Sequence, residues 1–250
     1  MGTIFRTIFT AIVALAWVPT ANAGLFTNNF GTAIVDLSDC DDCATTNSIL
    51  FGGGQSIKFF GATYSGLYIS SNGYLTFDAP HTPFATERID MQTVGPMIAG
   101  LFTDLDTSND ASSNVYVNTS TVGEIIVTYQ MVSHAFQGDL HSTFQLLIRS
   151  DQKFLPPDQG QLGFFYGEIN GTNNVAAGFG DGLLTVNPRE VSFASNSPGT
   201  TLSNSAPRYY TLEGGGNVEP PASSVPEPAS LMLTGAAIAV LAARRRRQRP

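Results

Sequence analysis

The sequence contains few basic residues, and half of them lie in its two end segments. Of the 12 Lys and Arg residues, one is Arg6 and five lie between Arg244 and Arg249. Six basic residues therefore remain in residues 24–225, against 19 of the 20 acidic residues, which gives a net charge of −13. Because nucleic-acid binding needs clustered Lys and Arg to contact phosphates, we expect no nucleic-acid partner.

Charged residues of both signs are scarce, and no amphipathic helical pattern precedes the C-terminal segment. Charged residues make up 13% of the chain, about half of the usual ~25%. Apolar residues instead alternate with other residues, a pattern that predicts β-strands. The alternating sets are Ile57 and Phe59; Leu67 and Ile69; Ile125, Val127, Tyr129 and Met131; Phe144, Leu146 and Ile148; and Leu162, Phe164 and Tyr166.

These strands predict an all-β fold, with a single antiparallel β-sandwich-like domain over residues 24–213. Asn72-Gly73 separates two apolar runs and predicts a hairpin turn. A domain of this length can bury one sizeable core. The predicted core residues are Phe59, Leu67, Ile69, Leu75, Phe77, Phe102, Val127, Phe144, Leu146, Phe164 and Phe179.

Residues 1–23 have the pattern of a secretory signal peptide. Arg6 supplies positive charge, Ile8–Val18 is an uncharged apolar run, and Ala21-Asn22-Ala23 has small residues at both cleavage-site positions. Cleavage after Ala23 would make Gly24 the first residue of the mature protein. An N-terminal membrane anchor is the alternative, but the apolar run is short for a membrane span.

The C-terminal segment combines three features in a fixed order. A Gly-, Pro- and Ser-rich stretch at 214–225 predicts a flexible linker. It is followed by Pro226-Glu227-Pro228, by an apolar run at 229–243 that predicts a single helix, and by the basic cluster Arg244, Arg245, Arg246 and Arg247. The arginines favour the cytoplasmic side of a membrane, so the residues before Pro226 are expected outside.

Residues 226–250 resemble the PEP-CTERM sorting signal of bacterial envelope proteins. That resemblance implies that an exosortase recognises Pro226, Glu227 and Pro228 and removes the tail. It also implies that the helix contacts the membrane before processing. The alternative is an ordinary single-pass anchor in which Pro-Glu-Pro is only linker.

Cysteine is limited to Cys40 and Cys43, in the segment Asp39-Cys40-Asp41-Asp42-Cys43. An exported protein meets an oxidising compartment, so we expect a local disulfide between them. A thioredoxin-like redox pair is the alternative, but the neighbouring aspartates would raise the thiol pKa values. A zinc site would require two further ligands, and no second cysteine pair exists.

Oxygen-bearing side chains recur at every second position after an apolar run: Asp104, Asp106, Ser108 and Asp110. This spacing suits Ca²⁺, which binds six to eight oxygen ligands. An EF-hand is excluded because Val115 stands where a bidentate glutamate is required. The alternative is a polar loop in which the carboxylates accept hydrogen bonds from nearby backbone N–H groups.

Several short motifs follow one another between Ile49 and Asp181. They are Phe59-Phe60-Gly61, the run from Leu67 to Phe77, the run from Ile98 to Asp106, the run from Thr143 to Ile148, Phe164-Phe165-Tyr166-Gly167 and Ala177-Gly178-Phe179. In this order they resemble NIDO domains, the extracellular modules of nidogen and tectorin, although Gly100 stands where members of that family usually carry proline. The resemblance implies an extracellular adhesion or matrix module without catalytic residues.

Together these features predict an exported bacterial protein of the cell envelope, the cell surface or the extracellular matrix. We expect a non-catalytic adhesion or structural protein whose partners are extracellular polysaccharide or other matrix proteins. The sequence contains neither a Gly-x-Ser-x-Gly nor a His-Glu-x-x-His motif. An exported carbohydrate-active enzyme is the alternative, because paired carboxylates for glycoside hydrolysis are assembled only in three dimensions.

Overall fold

The chain folds into two antiparallel sheets that share one apolar core, as the alternating pattern predicts. A computed structural model describes residues 24–84, 89, 95–137, 139–171, 173–183, 187–213 and 217–219. The predicted signal peptide and sorting tail lie outside these residues. The strands are β1 Thr32–Ala33, β2 Ile49–Leu50, β3 Ile57–Phe59, β4 Ala62–Tyr64, β5 Gly66–Ile69, β6 Tyr74–Thr76, β7 Met97–Phe102, β8 Leu105–Asp106, β9 Asn114–Asn118, β10 Glu124–His134, β11 His141–Arg149, β12 Leu162–Ile169, β13 Asn174–Gly180, β14 Val191–Pro198, β15 Arg208–Glu213 and β16 Asn217–Glu219.

The larger sheet has eight strands and the smaller sheet has six. The larger one has the order β1-β9-β10-β11-β12-β15-β16, and β8 pairs with the far end of β10. The smaller one has the order β14-β13-β7-β6-β5-β2, and β3 and β4 form a separate ribbon. Val35–Leu37 and Gly199–Leu202 form short 3₁₀-helices. The fold is therefore all-β.

The core lies between the inner faces of the two sheets and contains most of the predicted core residues. All eleven predicted residues are buried, and ten of them belong to this main cluster. Phe102 instead packs against Tyr74 in a second cluster. Two buried tyrosines link the sheets, since the Tyr129 hydroxyl donates to the carbonyl of Ser70 (2.6 Å) and the Tyr166 hydroxyl donates to that of Gly100 (2.7 Å).

The predicted hairpin at Asn72-Gly73 is present between β5 and β6. Ile69 pairs with Leu75, and Tyr68 pairs with Thr76. Gly73 has a φ of 80°, which a residue with a side chain adopts less readily. This turn brings Asn72 to one end of the sandwich.

The prediction that Met131 shares the buried face of β10 is wrong. The register between β10 and β11 shifts between Tyr129 and Val132, as at a β-bulge. Met131 takes a φ of 50° and is 38% exposed, while Val132 is fully buried in its place. Ile125, Val127 and Tyr129 face the core as predicted.

The segment predicted as a linker contributes the last strand. Within residues 214–225, β16 pairs with β15, and Val218 lies opposite Leu212.

In the part of the chain described by the structure, no helix is long and apolar enough to span a membrane.

Candidate functional site

A disulfide-closed loop covers one end of the sandwich. Cys40 and Cys43 are joined by a disulfide, and Asp39 and Asp42 both adopt positive φ, which aspartate tolerates better than most residues. The Cys40 backbone N–H donates to Thr107 Oγ1 (3.0 Å). The Cys43 N–H donates to Ser71 Oγ (2.9 Å). The loop is thereby fixed to both sheets.

Asn72, at the tip of the β5–β6 hairpin, connects this loop to the turn that follows β7. Its side chain is fully buried. The amide Nδ2 donates to Asp42 Oδ1 (2.8 Å), and Oδ1 accepts from the Leu105 backbone N–H (2.9 Å). The sequence identified Asn72 only as a turn residue, whereas the structure also gives it this bridging role.

Three carboxylates meet at this end: Asp41 and Asp42 from the disulfide loop, and Asp104 from the β7–β8 turn. Oxygen atoms from the three groups lie within 4.8 Å of one another. Asp41 also forms an isolated antiparallel bridge with Asp106, which brings a fourth acidic residue close. We refer to Asp41, Asp42 and Asp104 as the acidic cluster.

The electrostatics of the acidic cluster are repulsive. Burial is the main cause that raises the pKa of Asp104 to about 6, and the negative charges of Asp41, Asp42 and Asp106 raise it further. Burial also raises the pKa of Asp41, again with help from Asp106 and Asp42. Like charges held close together favour protonation or the binding of a cation.

The four predicted calcium ligands have different surroundings in the structure. Asp104 joins the acidic cluster. Asp106 Oδ1 accepts hydrogen bonds from the backbone N–H and hydroxyl of Ser108 (2.7 and 2.6 Å), and Asp106 Oδ2 accepts one from Asn109 (2.6 Å). Asp110 Oδ1 accepts from the backbone N–H and hydroxyl of Ser112 (both 2.7 Å). The polar-loop interpretation therefore describes the surroundings of Asp106 and Asp110.

Tyr74, at the start of β6, follows the hairpin turn that carries Asn72. It is fully buried, and its ring packs 4.4 Å from that of Phe102. Burial is the main cause that raises the pKa of Tyr74; a hydrogen bond with the Ser70 side chain lowers it, and the negative charge of Asp42 raises it.

Two exposed phenylalanines lie within two residues of backbone groups at this end of the sandwich. Phe136 is fully exposed at a φ of 61° in the β10–β11 turn, directly after Ala135, whose N–H donates to the carbonyl of Asp104 (3.0 Å). Phe84 is half exposed and lies two residues beyond Thr82, whose carbonyl accepts from Asn72. This end of the sandwich thus combines carboxylates with accessible aromatic rings.

A Ser-His-Asp chain lies on the neighbouring strands. Ser133 Oγ is 3.2 Å from His141 Nδ1, and His141 Nε2 is 3.5 Å from Asp110 Oδ2. Ser133, however, is fully buried within β10, and its hydroxyl also contacts Ser113 Oγ (3.2 Å). A nucleophile must reach a substrate carbonyl, and Ser133 is closed off from one.

A pair of acidic side chains closes the β13–β14 loop. Glu190 Oε1 accepts from the Asp181 backbone N–H (3.0 Å), and their carboxyl groups also hydrogen-bond to each other. Burial and Asp181 together raise the pKa of Glu190 to about 7. Glycosidase carboxyls stand about 5–9.5 Å apart around the substrate. The direct contact leaves no such space.

The comparisons with known proteins match both the body and the tail. A family profile described as NIDO related matches residues 17–206. The chain belongs to the NIDO-related family. The match extends beyond both ends of the Ile49–Asp181 resemblance and covers the acidic cluster. A second profile, the PEP-CTERM protein-sorting motif, matches residues 224–247.

The sorting motif implies processing by an exosortase. Together with the NIDO-related domain, it indicates export to the bacterial cell envelope or the extracellular space. No curated protein and no solved structure matches the chain.

Proposed function

We propose that this NIDO-related protein is a non-catalytic adhesion or structural component of the extracellular matrix. Its partners would be extracellular polysaccharide or other matrix proteins. The observation that carries this proposal is the end of the sandwich, where the fully exposed Phe136 directly follows Ala135, whose N–H donates to the carbonyl of Asp104. Aromatic rings that combine large apolar area with accessibility are frequent anchors of binding surfaces.

The environment of the catalysis-like groups supports a binding role over a hydrolytic one. Ser133 is enclosed by its own strand neighbours. The carboxyls of Glu190 and Asp181 are hydrogen-bonded to each other and to the backbone of their loop. The accessible groups instead lie on the loops, where binding residues of β-sandwiches concentrate.

We expect Phe136→Ala to weaken binding to isolated matrix polysaccharide about tenfold, equivalent to about 1.4 kcal/mol. The lost aromatic contact area is the physical reason. Phe154→Ala is the matched control, because Phe154 is 85% exposed in the β11–β12 turn at the opposite end of the sandwich. Co-sedimentation with the polymer measures both variants.

Two results of this experiment would count against the proposal. Equal binding by the two variants would remove Phe136 from the binding surface. Turnover of the polymer, abolished when a loop carboxylate is neutralised, would favour the carbohydrate-active enzyme instead.

Processing at both ends gives a separate prediction. Mass spectrometry of the mature protein should find Gly24 at the N-terminus and no trace of Arg244, Arg245, Arg246 or Arg247. Cells that lack the exosortase serve as the control and should retain the tail. Recovery of Arg249 from cells that possess the enzyme, with the protein still in the membrane, would favour the plain anchor.

A further inference from the structure

Three loops meet at the end of the sandwich opposite the acidic cluster, and we refer to them as the distal end. They are residues 51–56, 119–123 and 150–161. Backbone hydrogen bonds join them, since the Gly123 N–H donates to the carbonyl of Phe51 (2.8 Å) and the Ser150 N–H donates to that of Gly123 (2.9 Å). The long strand β10 starts at the distal end and finishes beside the acidic cluster.

Two large apolar side chains are exposed at the distal end. Phe154 is 85% exposed and Val122 is 53% exposed. Val122 lies against the first loop, because a Cβ atom placed on Gly53 would be 2.8 Å from Val122 Cγ1. Lys153, the neighbour of Phe154, donates from Nζ to the carbonyl of Val122 (3.3 Å). The two apolar side chains therefore belong to adjoining loops of one surface.

The charge of the distal end differs from that of the domain as a whole. The only two lysines of the chain, Lys58 and Lys153, lie on or beside these loops, and Lys58 is exposed. The acidic residues on or beside the loops are Asp151, Asp158 and Glu124. Arg149 pairs with the last of these (2.8 Å). Basic and acidic residues are thus balanced here, so a phosphate-bearing surface meets less repulsion than at the acidic cluster.

The C-terminal strands bring the chain to the same end. β15 runs antiparallel to β12 and reaches the distal end at Leu212, whose N–H donates to Gln161 Oε1 (2.6 Å). β16 then returns along β15, and its last residue is Glu219. From Glu219 to Pro226 the chain spans at most roughly 25 Å. A tail held in a membrane therefore keeps the distal end close to that membrane.

We propose that the distal end docks on the phospholipid bilayer that holds the tail, with Phe154 and Val122 entering the headgroup region. Apolar and aromatic side chains bind favourably at that depth. Lysine places its stem along apolar groups while its ammonium group contacts lipid phosphates, as Lys58 and Lys153 would do. Docking would turn the acidic cluster and Phe136 away from the membrane. This inference rests on the tail entering the membrane and not on the adhesion role.

The test uses lysine acylation, because Lys58 and Lys153 are the only lysines of the chain. Protein that retains its tail, from cells that lack the exosortase, is placed in nanodiscs of phosphatidylcholine and phosphatidylglycerol. A water-soluble amine-reactive reagent is added, and mass spectrometry follows each lysine. Lys153 should react at least about fivefold more slowly than in the exported, tail-free protein without lipid, because only the undocked fraction reacts.

The double variant Val122→Ser, Phe154→Ala should lose this protection in nanodiscs, because the side chains that enter the bilayer are gone. Val35→Ser is the matched control and should keep it. Val35 is also 85% exposed, but it lies in the 3₁₀-helix beside the disulfide loop, where Thr107 Oγ1 contacts both Leu37 and Cys40. All variants should melt at the temperature of the unaltered protein, since each change is at an exposed side chain.

Equal acylation in nanodiscs and without lipid would overturn the proposal. Slow acylation that persists in the double variant would also overturn it, because closeness to the tail alone would then shield the lysines. Slow acylation of the lipid-free protein that disappears on dilution would assign the distal end to a second copy of the chain and reject the membrane. Polysaccharide binding is measured without lipid, so its failure would reject the adhesion role and leave this result standing.

Discussion

Replacing Phe144 with alanine should lower the free energy of unfolding by about 3–5 kcal/mol. Phe144 is fully buried between the sheets. Its ring stacks on Tyr129 with 4.4 Å between centroids and 8° between planes. Its ring also packs directly against Gly100, so truncation to alanine leaves a cavity in the core.

Urea denaturation of the exported protein measures this change. Phe154→Ala provides the matched control, because the same truncation at an 85% exposed site should change stability by less than about 0.5 kcal/mol. A loss below about 1 kcal/mol for Phe144→Ala would contradict the packing described here. A far-UV spectrum dominated by helix would contradict the fold itself.

Acidification from pH 6.5 to pH 4 should remove about 3 kcal/mol of stability through His134. Burial, assisted by the charge of His141, lowers the pKa of His134 to about 4, against about 6.5 in the unfolded chain. The folded state therefore binds fewer protons than the unfolded state in this range. The contribution of His134 to the free energy of unfolding is therefore present above pH 6.5 and is lost as the pH falls towards 4.

The structural cause is the confined position of the His134 ring. Its Nε2 is 2.7 Å from Ser142 Oγ, its Nδ1 has no partner in the described structure, and Gly171 packs directly against the ring. His134→Gln should be less stable at pH 7 and should lose most of this pH dependence. His81→Gln, in the β6–β7 loop, is the control. An unchanged pH profile in His134→Gln would assign the acid sensitivity to other groups.

The strands and the main core could be predicted from the sequence because their signals are local. Alternation along a strand decides which side chains face inward, and Asn72-Gly73 decides where the chain turns. Met131 departs from the alternation because a β-bulge inserts one residue into β10. The residue types around Met131 do not indicate where that bulge lies. Phe102 is buried as predicted, but it belongs to the second cluster and not to the main core. Alternation predicts that a residue is buried, but not which cluster it joins.

The site was harder to predict because its members come from distant segments. In the sequence, Asp41 and Asp42 bear only on the pKa values of the neighbouring thiols. The spacing groups Asp104 with Asp106 and Asp110, which lie close to it in sequence. The pairing of β8 with β10 and the isolated bridge between Asp41 and Asp106 decide which carboxylates meet. No spacing rule along the chain contains that information.

The contact between Gly100 and Phe144 restricts how sequences of this fold can vary. A Cβ atom placed on Gly100 would lie 2.7 Å from Phe144 Cε2, and the Gly100 N–H donates to the carbonyl of Gly73 (3.0 Å). A proline at position 100 would therefore lose a hydrogen bond and collide with the ring. Relatives that carry proline there are expected to have a smaller residue opposite it, so the two positions should change as a pair.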